Sequence, residues 1–253
     1  MSKLITITSG KGGVGKTTTS VNLGFALNSF GKEVVIVDAN LTTPNIGLHL
    51  GAPIVPVNLN HVLLGKAKVG DAIYEHSSGT KVIPSSLSSR EMRNIDYSGL
   101  KDVAKKLKKD ADFIIYDCAA GLGNEATKAI EAADEIIIVT NPEITAVTDA
   151  LKTIKMAQDL KKEVKGVIVT RVRGRKGEMP LSNIRDMLGM PILGVIPEDK
   201  NAHFALNHKM PMIELYPHSH ASRNYRRIAA KIADVDLNDH YRTPLIVKVF
   251  GKK

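Results

Sequence analysis

The sequence predicts an α/β fold, a doubly wound and mostly parallel sheet with helices on both faces. Short, nearly continuous apolar runs such as "KEVVIVDAN" alternate along the chain with segments of helical spacing. Runs of this kind are typical of strands covered on both faces, as in a parallel sheet. With 253 residues, 43% of them hydrophobic and only 4% aromatic, the chain is long enough to bury one large aliphatic core.

The first strand and the first helix are predicted close to the amino terminus. The run "LITIT" predicts a buried strand, and the glycine-rich turn "SGKGGVGK" follows it. Apolar residues then recur with helical spacing at Val21, Leu23, Phe25 and Ala26, and Gly31 is a typical helix end. A strand, a glycine-rich turn and a helix in this order form one unit of such a sheet.

Further strands are predicted along the rest of the chain. They are "KEVVIVDAN", the weaker "TKVIPS", "ADFIIYDCAAG" with its end at Asp117, "ADEIIIVTNPE", "VKGVIVTRVRG" and "PILGVIPED". A long helix is predicted from about Glu143 to Leu160. The functional edge of an open parallel sheet lies at the carboxyl ends of its strands. We therefore expect one crevice to hold the glycine-rich turn and the strand ends at Asp38, Asp117, Asn141, Thr170 and Pro197.

Composition limits the other features of the chain. Cys118 is the single cysteine, which excludes an intrachain disulfide and a four-cysteine metal site within one chain. We expect no signal peptide, because the amino terminus reaches the glycine-rich turn too soon to hold its apolar region. We expect no membrane helix, because no apolar run approaches the roughly 18 residues of a membrane span. The expected protein is cytoplasmic, with one domain at 1–234 and a tail at 235–253. Its net charge of +9 indicates an anionic partner, with simple solubility as the alternative.

The glycine-rich turn has the spacing G-x-x-x-x-G-K-T, formed by Gly10, Gly15, Lys16 and Thr17. Glycines let backbone N–H groups turn toward phosphate oxygens, and the following helix presents its positive end to the same anion. In this pattern the lysine neutralises the β- and γ-phosphates, and the threonine hydroxyl holds Mg²⁺. Asp117 ends an apolar strand, where such proteins keep the acidic residue that holds Mg²⁺ through water; an ordinary strand-terminal aspartate is the alternative.

A second lysine, Lys11, directly follows the first glycine. The stretch "KGGVGKTT" resembles the deviant Walker A motif of the MinD/ParA family of P-loop ATPases, whose fold is of the SIMIBI type. The resemblance extends over nearly the whole chain, through "DANLTTPN", "YDCAAG", "TNPEITAVTDA" and "IPED", and is nearest to the archaeal MinD-like members. In that family the lysine reaches the nucleotide of the facing subunit. Carried onto Lys11, the resemblance implies an ATP-dependent homodimer.

The resemblance also implies ATP and Mg²⁺ as cofactors and assigns roles to individual residues. The implied catalytic residues are Lys11, Lys16, Asp38 and Asn40. The implied metal residues are Thr17, Asp38 and Asp117. The implied nucleotide-binding residues are Gly10, Lys11, Gly12, Gly13, Val14, Gly15, Lys16, Thr17, Thr18, Thr170, Arg171, Pro197, Glu198 and Asp199.

The sequence departs from the family at the residue that acts on the attacking water. The family pattern after the second strand is D-x-D, and here it is Asp38-Ala39-Asn40. An amide can orient water by hydrogen bonds, but it cannot take a proton as a carboxylate does. Three interpretations follow: slow hydrolysis with Asn40 only positioning water, compensation by Asp38, or a binding switch with little turnover. We favour slow hydrolysis.

Two further departures concern the loops around the nucleotide. Ala119 stands where the family often has proline, which alters the expected stiffness of the loop after Asp117. Thr170 and Arg171 replace the usual Asn-Arg pair, whose asparagine reads adenine in relatives. Backbone groups near Pro197 and Glu198 are the alternative for reading the base.

Two surfaces are candidates for what the ATPase acts on. In the tail, Leu245, Ile246, Val249 and Phe250 could share one face of an amphipathic helix that inserts into an anionic membrane, with two copies brought together by the dimer. Pro244 and the strand-like pattern make a docked tail the alternative. The second surface is a basic set suited to nonspecific DNA binding, with a solvated face as the alternative. This set contains Arg171, Arg173, Arg175, Lys176, Arg223, Arg226 and Arg227.

Together these observations predict a MinD-like dimerising ATPase switch that positions a cellular structure, such as the division site or a surface or motility apparatus. The expected location is the cytoplasm, with peripheral binding to the cytoplasmic membrane face in the ATP state. An unidentified activating or cargo protein is expected as a partner. The alternatives are a DNA-partitioning ATPase of the ParA kind, and a scaffold that binds nucleotide with little hydrolysis.

Overall fold

The computed structural model describes residues 2–92 and 95–237. The strands in these residues are β1 (Lys3–Ser9), β2 (Val34–Ala39), β3 (Tyr74–Glu75), β4 (Lys81–Ile83), β5 (Phe113–Ala120), β6 (Glu135–Thr140), β7 (Glu163–Val172) and β8 (Ile192–Pro197). They form one sheet in the order β3-β4-β2-β5-β1-β6-β7-β8. Neighbouring strands are parallel except at the edge, where β3 runs antiparallel to β4. This arrangement confirms the predicted fold class.

Helices connect the strands and cover the sheet. They are α1 (Lys16–Asn28), α2 (Ile46–His49), α3 (Leu59–Leu63), α4 (Leu100–Leu107), α5 (Asn124–Ala132), α6 (Ile144–Asp159), α7 (Leu181–Leu188), α8 (Asn201–Asn207), α9 (Met212–Leu215) and α10 (His220–Ala233). Short 3₁₀ turns lie at Val69–Ala72 and Tyr97–Gly99. The predicted long helix from about Glu143 to Leu160 corresponds to α6.

The core occupies both faces of the sheet because successive strand residues point to opposite sides. In β1, Ile5 and Ile7 join a cluster with residues of α1 and α10, whereas Leu4 joins a cluster on the other face with residues of α4 and α5. Strand β6 alternates in the same way, between the first cluster and a third cluster that includes residues of α6 and α7. The layers are therefore helix, sheet and helix, as the continuous apolar strands require.

Helix α1 is held in place by the last helices of the described chain. The Thr19 hydroxyl and the Tyr225 hydroxyl of α10 lie 3.2 Å apart in a buried contact. The Asn22 side chain accepts a hydrogen bond from the backbone N–H of Ile213 in α9, at 2.9 Å. The helix that begins at the glycine-rich turn is thus covered along its outer side by α9 and α10.

The crevice lies where the chain changes direction across the sheet. From β1 the chain passes to β2 on one side, and after β5 it crosses to β6 on the other side of β1. The two largest differences from the predicted strand ends are at β5 and β7. Strand β5 continues past Asp117 to Ala120, because a register shift in β1 lets Ser9 pair with Ala120, and β7 continues past Thr170 to Val172. The candidate membrane residues Leu245, Ile246, Val249 and Phe250 lie outside the described residues.

Candidate nucleotide site

The glycine-rich turn joins β1 directly to α1 and has the backbone geometry of an anion-binding loop. Gly13 and Gly15 have φ angles of 78° and 92°, in the left-handed region that glycine adopts without steric penalty. Gly15 is the N-cap of α1, which has no side-chain cap and no acidic residue in its first turn. The positive end of α1 is therefore left for an anion from outside the helix.

Gly10 is required by a close backbone contact. A Cβ atom at this position would lie 2.1 Å from the carbonyl carbon of Asp149 in α6. By contrast, a Cβ atom at Gly12 would meet no heavy atom within 4 Å. The start of the turn is thus packed against α6, whereas its middle faces open space.

A cleft of about 860 Å³ opens at the carboxyl ends of the strands. This volume lies within the range of roughly 300–1,000 Å³ that is usual for ligand pockets. Several predicted residues line it on the turn, namely Gly12, Gly13, Gly15, Lys16, Thr17 and Thr18. Others line it on the strand ends, namely Asn40, Thr170, Arg171, Pro197, Glu198 and Asp199. Gly10, Lys11, Val14, Asp38 and Asp117 are absent from the lining among the described residues.

Lys16 lies at the start of α1 and is almost completely buried. Only 8% of the residue is exposed, although it lines the cleft. Burial lowers the pKa of its ammonium group, while the nearby charge of Asp117 raises it. A buried ammonium group with no ion pair of 4 Å or less among the described residues is suited to an anionic ligand.

Asp38 and Asp117 are register partners on the adjacent strands β2 and β5, and both are fully buried. Burial raises the pKa of Asp38 well above its usual range, and the charge of Asp117 raises it further. Burial also raises the pKa of Asp117, while the Thr17 hydroxyl and the Lys16 ammonium act in the opposite direction. A cation bound beside these two neighbouring carboxyl groups would stabilise their charged forms.

The unused oxygens of this pair fit a divalent cation. Asp38 Oδ2 accepts the backbone N–H groups of Asn45 and Ile46, each at 2.9 Å, and Asp117 Oδ1 accepts the Ser20 hydroxyl at 2.9 Å. Within the described residues, Asp38 Oδ1 and Asp117 Oδ2 are buried without a hydrogen-bond partner. Mg²⁺ prefers such oxygens and is usually held by one or two carboxylates together with phosphate and water.

No group of three or more histidine, cysteine, aspartate or glutamate side chains that could hold a metal ion by itself occurs in residues 2–92 and 95–237. A Mg²⁺ ion at this pair would therefore also need oxygens from its nucleotide and from water.

Asn40 directly follows β2 and lies in a turn that its own side chain closes. Its Nδ2 group donates to the Thr43 carbonyl oxygen at 2.6 Å, and its Oδ1 atom accepts the Thr43 hydroxyl at 3.0 Å. The residue lines the cleft and is 7% exposed. Because an amide carries two N–H hydrogens, one is left to hold a water oxygen.

Thr170 lies in the cleft wall but turns its hydroxyl toward the glycine-rich turn. Its Oγ1 atom lies 2.6 Å from the Val14 carbonyl oxygen, 2.9 Å from Asn141 Oδ1 and 3.2 Å from the Thr140 carbonyl oxygen. A hydroxyl has one proton for these three acceptors. The geometry therefore favours a role for this hydroxyl in supporting the turn over a role in reading the base.

The rim beside the predicted base site is formed by charged residues that pair with each other. Arg173 makes a two-pronged ion pair with Glu198, one contact of which is 2.6 Å long. The Arg173 guanidinium lowers the pKa of Glu198. The Glu198 backbone N–H donates to the Val172 carbonyl oxygen at 3.0 Å. Arg171 is exposed and has a φ angle of 55°, in the left-handed region.

Lys11 points along the outer rim of the turn. Its Nζ atom lies 3.6 Å from Glu143 Oε2 at the N-cap of α6, and 47% of the Lys11 side chain is exposed. The distance and exposure describe a weak surface pair, worth about 0–1 kcal/mol. The side chain is therefore accessible from outside the chain.

The predicted basic set is partly used within the protein. Arg223 Nε donates to the His218 carbonyl oxygen at 2.9 Å, and Arg226 donates to the Pro217 carbonyl oxygen at 2.9 Å. Arg173 is paired with Glu198 as described above. The ion pair with Glu198 offsets the charge of Arg173, whereas the carbonyl contacts of Arg223 and Arg226 leave the charges of these residues unchanged.

Among the residues that were not predicted from the sequence are His49, which lines the cleft, and Glu125, which lies outside its lining. His49 of α2 lines the cleft, and burial lowers its pKa to about 4. Glu125, at the start of α5, is only 8% exposed and accepts two hydrogen bonds from Thr42. Neither residue belongs to a local motif, because each owes its position to contacts between distant parts of the chain.

The doubly wound sheet and the glycine-rich turn between β1 and α1 define a P-loop nucleotide-binding protein. Residues 5–212 match the family described as the CobQ/CobB/MinD/ParA nucleotide binding domain. The chain belongs to this family of nucleotide-binding ATPases.

Similar proteins include both uncharacterised and named members. The chain is 41% identical to an uncharacterised ATP-binding protein of Methanocaldococcus jannaschii, covering 92% of this chain and 88% of that protein. It is 34% identical to the septum site-determining protein MinD of Bacillus subtilis, covering 92% of this chain and 89% of that protein.

Solved structures of MinD proteins have the same fold. The septum site-determining protein MinD of Pyrococcus horikoshii, complexed with Mg-ADP, is similar with a TM-score of 0.88 and 35% identity, covering 92% of this chain and 96% of that one. MinD of Aquifex aeolicus in a MinC:MinD complex has a TM-score of 0.85 and 28% identity, covering 93% of this chain and 97% of that one. No helix in the described part of the chain is long and apolar enough to cross a membrane.

Proposed function

We propose that this protein is a MinD-like switch that dimerises with Mg²⁺ and ATP, hydrolyses ATP slowly and positions a cellular structure. The observation that carries the proposal is the buried pair Asp38 and Asp117, each with one unpartnered oxygen, beside Lys16 and Thr17. A Mg²⁺-nucleotide would supply the missing positive charge at the carboxylates and the missing anion at the lysine. One ligand would thus satisfy both halves of the site.

The chain's own residues would divide the work between binding and orientation. The backbone of the turn and Lys16 would hold the β- and γ-phosphates, and Thr17, Asp38 and Asp117 would hold Mg²⁺ directly or through water. Asn40 would hold the attacking water with its free N–H hydrogen. Bound Mg²⁺ would spread the negative charge that develops on the transferred phosphoryl group.

Slow hydrolysis follows from the chemistry available around the water. The Asn40 amide cannot take a proton. Asp38 already accepts the N–H groups of Asn45 and Ile46 through one oxygen, and its other oxygen is the candidate Mg²⁺ ligand. It is therefore poorly placed to act as the base. This supports the first of the three interpretations of Asn40.

Dimerisation is proposed from the exposure of Lys11. Its contact with Glu143 is weak enough to be exchanged for the phosphates of a facing subunit. An inserted lysine would offset the repulsion between two facing triphosphates, so that ATP and the dimer would favour each other.

Single-turnover hydrolysis with Mg-ATP tests the enzymatic part. We expect slow turnover in the wild type, loss of turnover in Lys16→Ala, and a rate increase of roughly tenfold or more in Asn40→Asp, which restores a carboxylate. An unchanged rate in Asn40→Asp contradicts the explanation of slow hydrolysis. A wild type that binds Mg-ATP without turnover above the Lys16→Ala background indicates a nucleotide-binding scaffold instead.

Light scattering of the purified full chain tests the dimer. We expect a dimer with Mg-ATP, a monomer with Mg-ADP, and no ATP-dependent dimer in Lys11→Ala. Lys32→Ala, which removes a lysine outside the cleft lining and the P-loop motif, is the matched control. A dimer that forms equally well in Lys11→Ala contradicts the proposed role of Lys11.

The partner and the location are further parts of the proposal. The names of the MinD relatives support a role in placing a division site or a similar structure, together with a partner protein. The tail sequence supports binding to anionic membranes in the ATP state. Co-sedimentation with phosphatidylglycerol vesicles, with ATP or ADP, compares the full chain with a chain truncated after Thr243. Pelleting that needs ATP and the tail supports this part, and no pelleting in either state contradicts it.

A further inference from the structure

We propose that Glu125 is a positioning residue that, with Thr42, ties the segment after Asn40 to the start of α5. We call this pair of hydrogen bonds the Thr42–Glu125 clasp. The clasp itself is a property of the fold, while its effect on hydrolysis rests on the proposed function.

The clasp uses both oxygens of one carboxylate. Glu125 Oε1 accepts the backbone N–H of Thr42 at 3.1 Å, and Glu125 Oε2 accepts the Thr42 hydroxyl at 2.6 Å. The two residues are 83 positions apart in the sequence. Glu125 is only 8% exposed, so water competes little for these hydrogen bonds.

The position of Glu125 in α5 places its carboxylate near the amino-terminal end of the helix. It lies in the first turn of the helix, where the helix dipole favours an anion. Gly123, the N-cap of α5, offers no side-chain cap. The Glu125 carboxylate instead contacts Thr42. Because Thr42 is exposed to solvent, hydrophobic packing of its side chain does not account for this contact. We therefore infer that the contact fixes the position of the segment around Thr42 rather than the start of α5.

The clasp connects the two chain segments that follow the candidate metal residues. Asp38 is followed by residues 40–46, and Asp117 is followed by the end of β5, a glycine-containing loop at 121–123 and then α5. Residues 40–46 are already fixed from within by Asn40 with Thr43, and by Asp38 with Asn45 and Ile46. The clasp adds a constraint on residues 40–46 from a distant part of the chain.

The clasp constrains Asn40, the residue proposed to orient the attacking water. Thr42 lies between Asn40 and Thr43, so that movement of Thr42 opens the turn that fixes the Asn40 amide. Loss of the clasp therefore loosens Asn40 while leaving Asp38, Asp117 and the glycine-rich turn in place. We expect the rate of hydrolysis to fall and the affinity for nucleotide to stay the same.

Amide hydrogen exchange of the nucleotide-free full chain tests the clasp directly. Thr42→Val removes the hydroxyl at nearly the same volume, Glu125→Gln removes the charge, and Thr42→Ser keeps the hydroxyl. We expect each of the first two variants to increase exchange in residues 40–46 by roughly tenfold, as for loss of a hydrogen bond to a charged group. The double variant should add little to either single one, and Thr42→Ser should behave as the wild type.

A second measurement separates positioning from general stability. In single-turnover hydrolysis, Thr42→Val should lower the rate several-fold with unchanged affinity for Mg-ATP, and Thr42→Ser should restore the rate. Additive increases in exchange, or no increase in residues 40–46, overturn the clasp. Faster amide exchange in residues 40–46 together with an unchanged rate of hydrolysis overturns the role of the clasp in positioning Asn40. Because the exchange measurement contains no nucleotide, its outcome is independent of whether the protein hydrolyses ATP.

Discussion

Asp38 and Asp117 pair in register on adjacent parallel strands, and each buries one carboxylate oxygen without a hydrogen-bond partner in the described chain. Two buried carboxyl groups on neighbouring strands destabilise each other when both are charged. The metal-free fold is therefore destabilised at the place where the nucleotide is proposed to bind. A bound cation would relieve this opposition and stabilise the folded protein by mass action.

The first prediction concerns the stability of the metal-free protein. We expect Asp117→Asn to increase the free energy of unfolding at neutral pH by about 1–2 kcal/mol, because it removes a buried charge and keeps an acceptor for Ser20. Urea unfolding in EDTA measures this change, with the exposed Asp110→Asn as control. The variant should also lose the stabilisation that Mg-ATP gives the wild type. Destabilisation of Asp117→Asn in EDTA would contradict this account.

A pH dependence follows from the same pair. Burial raises the pKa of both carboxyl groups above that of the unfolded chain. The folded protein therefore binds more protons than the unfolded chain in mild acid, and the metal-free wild type loses stability as the pH rises through the folded pKa values. Asp117→Asn should reduce this loss.

The second prediction concerns Gly10. We expect Gly10→Ala to lower the free energy of unfolding by about 1–3 kcal/mol, because the added Cβ would force the backbone of Asp149 to move. Chemical denaturation of the nucleotide-free protein measures this loss. Gly12→Ala is the matched control and should change stability by less than about 0.5 kcal/mol, since its Cβ would meet open space. Equal effects of the two variants would show that the contact with α6 does not constrain the turn.

The third prediction concerns Thr170. We expect Thr170→Val to lower the free energy of unfolding by about 1–2 kcal/mol, because it leaves the Val14 carbonyl oxygen without its donor. The ratio of ATP affinity to GTP affinity should not change, since the hydroxyl faces the turn. Thermal unfolding and competition binding measure the two quantities, and Thr170→Ser should match the wild type in both. A change in the ATP-to-GTP ratio in Thr170→Val would restore this residue as a reader of the base.

The fourth prediction concerns His49. Burial lowers its pKa from 6.5 to about 4, so the unfolded chain binds more protons than the folded protein between these values. The wild type should therefore lose up to roughly 3 kcal/mol of stability as the pH falls through this window. His49→Gln should remove much of that loss in unfolding experiments from pH 7 to pH 4, whereas the exposed His218→Gln should retain it. An unchanged pH profile in His49→Gln would show that His49 is not the group responsible.

The strands and the glycine-rich turn could be predicted because their signals are local. A buried parallel strand is a short apolar run, and the turn needs its glycines at fixed spacing. The predicted end of β5 at Asp117 was wrong, because the observed end depends on the pairing of Ser9 with Ala120, a contact between residues distant in sequence. The two-residue strand β3 was missed because its partner β4, and not its own composition, makes it a strand.

The site was only partly predictable for the same reason. Asp38 and Asp117 follow apolar runs, and their shared register follows from the sheet. The orientation of the Thr170 hydroxyl could not be predicted, because three acceptors from other segments determine it. Glu125 lies in an ordinary amphipathic helix, and only the folded chain brings it to Thr42.

Helix α1 has one further consequence for signalling within the molecule. Its first residue borders the proposed phosphate position, and its outer side holds α9 and α10 through Asn22 and Thr19. The chain leaves α10 at Asp234, next to the start of the proposed tail. The proposed nucleotide position thus lies at the amino-terminal end of α1, and the helix that leads into the tail packs against the side of α1. A small tilt of α1 on nucleotide binding would therefore displace the residue at which the tail begins.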